Sequence, residues 1–138
     1  MLRVGYMREL WRHMYTHRVR VERQVVDDED QPAWENIAED LPCLIARPSA
    51  RELALSRDTT EYPQPVTHTV YINDHAALAI GNRVVAMFER GEQRAWHLVQ
   101  RPLMLMVLGR TQVFGPRAPR NQVRLDCAQV TPTAGEGY

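Results

Sequence analysis

Alternation with a period of two recurs along most of this chain, and it leaves few folds open. In "HRVRVERQVV", residues 17–26, Val19, Val21 and Val25 fall on one side. Arg18, Arg20, Glu22 and Gln24 fall on the other, which is the pattern of a half-buried strand. "DDEDQP" follows as an acidic hairpin tip; it lacks the ligand spacing and turn glycine of a calcium loop. Strand character resumes in "AWENIAEDLPCLIARP", with Pro42 marking a bulge or edge position. Further strands are predicted near 66–72, 82–88 and 94–100, the last two joined by a hairpin turning around Gly91. Residues 103–114 predict an extra strand or a loop excursion, and 115–121 an exposed turn. "VRLDCAQV" closes the series, with Val123, Leu125 and Cys127 alternating inward. Six or seven strands with turns between them predict an all-β fold, a small antiparallel barrel or sandwich.

The 138 residues are one domain's worth, enough to bury a single core without staples. Within that domain, residues 1–16 predict a short amphipathic helix, with Met7, Leu10, Trp11 and Met14 on one stripe. Residues 17–130 predict the barrel, and 131–138 a loose tail. The irregular segment that stands out is 48–65, "PSARELALSRDTTEYPQP", a proline-bounded connection after the second strand. Loops of this length inside compact domains are usually functional or disordered.

Charge is neutral in total but segregated along the chain. Residues 1–23 carry six Arg against two Glu, net +4; residues 24–61 carry three Arg against ten acids, net −7. Residues 62–138 carry eight Arg against five acids, net +3, and no lysine occurs anywhere. A nucleic-acid binder normally shows a basic excess. An acidic block flanked by basic ones fits self-assembly or docking onto other proteins. Arg3, Arg8, Glu9 and Arg12 interrupt the first apolar residues, so no secretory signal is expected, and no apolar run is long enough for a membrane helix.

Candidate chemistry is sparse. His13 and His17 stand four apart, but the glutamate of a zinc-protease motif is absent. His68 alternates with Val66, Val70 and Ile72 and reads as a core or rim residue with a hydrogen-bonding partner. Cys43 and Cys127 each sit inside a predicted strand and read as buried thiols, with a disulfide or metal pair as the alternative. Ser49 and Ser56 have no nucleophile-elbow glycines around them. The carboxylates concentrate in turns, where an acid–base pair is hard to hold. The expectation is therefore a protein that is not an enzyme, with no catalytic residue, metal, cofactor or small-molecule substrate. An OB-like nucleic-acid module is the alternative of another class. It would use Tyr71, Phe88 and Trp96 for stacking and Arg110, Arg117, Arg120 and Arg124 as a basic cluster.

The order of these patterns resembles the phage head–tail joining proteins, the head-completion or stopper proteins that sit between portal and tail in long-tailed phages. The likeness is carried by "RVRVERQVV" with its acidic turn and by Trp34 leading into "ENIAEDLPCLIARPSARE". It continues in "THTVYI" followed by "IGNRVV", then in "RAWHLV" and the closing "VRLDCAQV". Two features depart from the family: its usual glycine in the first hairpin is replaced by 27–32, and 103–120 is longer than expected. The resemblance implies a β-barrel assembled as a ring, typically of about twelve copies, in the virion neck after synthesis in the host cytoplasm. Its implied partners are the portal or adaptor ring, the tail terminator or tail tube, and the packaged double-stranded DNA, with no membrane. The loop after the second strand would face the channel, which by position assigns Arg51, Glu52, Arg57, Asp58 and Glu61. Met7, Trp11, Arg117 and Arg120 are the candidate contacts between rings. A tail-terminator or other neck ring protein is the alternative within the same setting.

Overall fold

Each stretch of period-two alternation becomes a strand in the computed structural model, which describes residues 15–48, 64–75, 78–91, 95–113 and 122–131. Six strands run in chain order: β1 (His17–Val26), β2 (Pro32–Ala46), β3 (His68–Asn73), β4 (Arg83–Arg90), β5 (Trp96–Gln112) and β6 (Gln122–Val130). Every pairing is antiparallel, and the order β1-β2-β3-β6-β5-β4 closes on itself as a barrel. Closure satisfies the backbone groups that an open sheet would leave at its edges. The predicted helix over 1–16 and the connection 48–65 fall almost wholly outside the described residues. Their flanks, Thr16 and Ala46, are fastened by the backbone bond from Thr16 to the Cys43 carbonyl and by β2–β3 pairing.

The barrel interior is filled by the inward half of each alternation: Val19 and Val21, Cys43, Val70 and Ile72, Val84 and Ala86, Leu105 and Val107, and Val123, Leu125 and Cys127. The outer wall of β4, β5 and β6 carries a second buried layer: Val85, Met104, Leu108 and Ala128 are all under 9% exposed. That double burial explains the nearly continuous apolar run of "LMLMVL" in β5.

Two expectations change. The separate elements predicted at 94–100 and 103–114 are a single 17-residue strand, β5. Its irregularity is a register shift opposite Met87, where Ala86 pairs Leu103 but Phe88 pairs Leu98. A bulge absorbs the residues before and including Pro102, which cannot donate to a ladder, and the strand continues. The second change concerns Glu22, expected to face solvent; it lies on the outward side of β1 but is only 6% exposed. The irregularity anticipated near Pro42 lies just before it, at Asp40, which adopts a left-handed φ of 58°. There Val19 pairs Leu41 while Val21 pairs Ala38, so β2 carries extra residues. This lets the sequence neighbours Ile37 and Ala38 both pack against the core.

Candidate interaction surfaces

The antiparallel order sorts the connections between two ends of the barrel. At one end, called here the loop end, lie the start of β1, the 47–67 connection, the β4–β5 turn and the end of β6. At the other end lie the β1–β2 turn, the β3–β4 connection and the β5–β6 connection. The channel-loop candidates Arg51, Glu52, Arg57, Asp58 and Glu61 lie outside the described residues, as do Met7, Trp11, Arg117 and Arg120. Strand order nevertheless separates their attachment points: residues 1–16 join the barrel at the loop end, whereas 115–121 join it at the opposite end.

β1 and β2 outrun their neighbours. β4 pairs with β1 only as far as Glu22, and β3 pairs with β2 only over Cys43–Ala46. Beyond that limit Arg23–Val26 and Pro32–Glu35 pair with one another alone, forming a two-stranded arm at the end opposite the loop. At its base Arg83 Nε donates to Glu22 Oε1 at 2.7 Å, and Arg20 lies 3.2 Å from Glu22 Oε2. The Arg83 guanidinium sits 4.2 Å from the centroid of the Trp34 ring, a stacking contact between arm and barrel. Arg23 and Glu35 clamp the two strands at 2.6 Å. The tip is closed by Asp27, whose carboxylate accepts from the backbone of Glu29 and Gln31 at 2.9 and 2.8 Å. Asp28, Glu29 and Asp30 remain exposed there, and Val26 is 69% exposed.

A cleft of about 320 Å³ lies toward the loop end, lined by Arg18, Arg20, Glu39, Asp40, Met87 and Phe88. Arg18 Nε lies 3.0 Å from Asp40, across the bulge that carries the left-handed Asp40. Beside it, Trp96 meets two guanidinium groups, Arg18 at 5.4 Å and Arg90 at 4.7 Å from its centroid. Phe88 and Leu98, cross-strand neighbours, are 37% and 65% exposed.

The loop end also holds two matching Thr–His pairs. Thr16 Oγ1 accepts from the Ile45 amide at 3.0 Å and meets His17 Nδ1 at 2.7 Å. Thr67 Oγ1 accepts from the Gln129 amide at 2.7 Å and meets His68 Nδ1 at 2.9 Å. Each hydroxyl keeps a proton and a second lone pair, so it can donate to an unprotonated Nδ1 or accept from a protonated one, and the pair stays bonded in either ring state. Burial lowers the pKa of both histidines below the usual value; Glu89 partly offsets this at His17, while neighbouring His68 adds to it. At His68 the Arg47 charge lowers it further. Cys43 and Cys127 are free and buried, and burial pushes both thiols well above their ordinary range. Among the described residues no three His, Cys, Asp or Glu side chains converge as a metal site.

The braced arm and the Trp96 stack were not foreseen. Glu22, Arg83, Trp34 and Trp96 are distant in sequence, and only barrel register brings them together; no local motif signals it.

No protein-family model matches this chain, and no curated protein matches it. Among solved structures it is similar to protein SF1141 from Shigella flexneri 2a, with a TM-score of 0.52 and 12% identity. The similarity covers 90% of this chain and 96% of that one, which places the whole arrangement of strands in a known architecture and speaks to fold alone.

Proposed function

We propose that this chain is a structural virion protein of the head–tail connector: a ring that closes the DNA-filled capsid below the portal or adaptor and offers the docking surface for the tail. The observation that carries the reading is the correspondence between the resemblance and the barrel. The four patterns shared with the joining proteins fall in order on β1, on β2 with the connection after it, on β3 and β4, and on β5 and β6. The 47–67 connection leaves the barrel at one end and the braced arm at the other, so one copy presents distinct surfaces toward two neighbours. In this reading the 48–65 loops line the channel and retain packaged DNA, through Arg51, Glu52, Arg57, Asp58 and Glu61.

Among the described residues the nucleic-acid alternative finds no stacking platform. Tyr71 on β3 and Phe88 on β4 stand three strands apart in either direction round the barrel, and Trp96 is engaged by Arg18 and Arg90. Of the basic cluster, Arg110 is bound to Asp74 and to the Leu78 carbonyl, and Arg124 lies 3.5 Å from Asp126. The barrel has six strands, where an OB fold has five and stays partly open.

The deciding experiment is electron microscopy of particles assembled without this protein. Full heads separated from complete tails, or heads that leak DNA, are expected; normal virions overturn the reading. Binding of the purified protein separates the rivals: tail-less heads for a stopper, free tails for a terminator. Tight binding of single-stranded DNA that falls steeply with salt would instead identify the nucleic-acid module.

A further inference from the structure

We propose that the β1–β2 arm of one copy docks in the Arg18–Phe88 cleft of the next, a head-to-tail contact between copies of this chain. The inference rests on the reading that the protein assembles with itself and assigns the two surfaces that meet. Both ends of the contact are built into the fold. The arm projects beyond all other strand pairing, yet it is held stiff by the Glu22–Arg83 bond, the Trp34 stack and the Arg23–Glu35 clamp. Stiffness limits the entropy lost when such an arm is captured.

Charge and apolar exposure match across the contact. From Arg23 to Asn36 the arm has five acids against one arginine, Arg23, which is paired with Glu35. The cleft itself is balanced, with Arg18 and Arg20 against Glu39 and Asp40, and the basic excess comes from the surrounding loop end, where the described residues Arg47, Arg90 and Arg101 outnumber Glu89. Of the four exposed large hydrophobic side chains among the described residues, Val26 is on the arm and Phe88 and Leu98 flank the cleft. On β1 the cleft residues Arg18 and Arg20 lie six to eight residues from Val26 at the arm tip, roughly 20–26 Å along the strand. One copy therefore cannot satisfy its own cleft. A contact between two different patches is heterologous and propagates into a ring or filament instead of stopping at a dimer.

The test uses the full chain and two variants in analytical ultracentrifugation. Asp28→Arg with Glu29→Arg reverses the arm charge and spares Asp27, which closes the turn. Leu98→Asp spoils the cleft rim at an exposed position, and thermal melts establish that both variants remain folded. The wild type is expected to self-associate, weakening about tenfold or more as salt is raised. Each variant alone is expected to be monomeric. Mixed in equal amounts, they are expected to form one-to-one dimers and nothing larger, because each supplies the surface the other lacks. A wild type monomeric up to about 1 mM, variants that associate as the wild type does, or a mixture without dimers overturns the arm-to-cleft contact. Any of these leaves the connector reading to the particle experiment, which does not depend on the arm.

Discussion

At the residue scale the most informative side chain is Glu22, polar by sequence, outward by alternation and buried in fact. Arg83, whose side chain is 7% exposed, has its charge answered there by Glu22. Removing one member of such a pair strands the other in a low-dielectric site. Glu22→Gln should therefore cost about 3 kcal/mol of stability, read from urea midpoints at constant slope, and should loosen the arm first. The histidines set the pH behaviour. His17 and His68 have folded pKa values below the ordinary value of 6.5, so the unfolded chain binds protons more readily than the native one. Stability should be full above pH about 6.5 and decline as pH falls through the lowered native values. Denaturation midpoints from pH 7.5 down to 5 check this, and His68→Gln should flatten part of the slope.

At the element scale the turns decide register. Gly81, between Ile80 and Asn82, sits at φ 91° with nothing near the position of a Cβ. Its amide donates to the Val107 carbonyl, and the Val107 amide returns a bond to Asn82, so this turn sets β4 against β5. Gly81→Ala meets no clash but must hold an L side chain in the left-handed region. A loss of about 1 kcal/mol is expected by chemical denaturation, and no loss at all would mean the turn relaxes freely. The strand that follows this turn, predicted near 82–88, was legible in the sequence, because its alternation and composition have a local cause. The bulge near Asp40 was anticipated from Pro42, but its place and the second shift between Val21 and Glu22 were not, since an extra residue is defined only against the partner strand.

At the scale of the whole molecule, closure is uneven. The β2–β3 seam has four register pairs, Cys43–Ala46 against Thr69–Ile72, whereas β1–β2 and β5–β6 each extend over most of their strands. Local opening follows the fewest contacts. Amide exchange at Leu44 and Tyr71 should therefore be faster than at Leu105 and Leu125, and equal rates would mean the barrel opens only as a unit. The same seam adjoins the 48–65 connection, so a partner engaging that loop would act on the weakest join of the barrel.

Taken alone, the amino-acid sequence determined an all-β chain of six or seven strands, the acidic turn at 27–32, the inward positions of Val123, Leu125 and Cys127, and the place of the long connection. Those features follow from periodicity and turn chemistry, which act over a few residues. Tertiary structure alone decided that the strands close into a barrel, that β5 is one strand, that Glu22 is buried on Arg83, and that the arm and the Arg18–Phe88 cleft lie apart. Each of these depends on which strands pair and in what register. That register is set by pairing each strand with two neighbours around a closed barrel, a condition no local stretch of sequence contains.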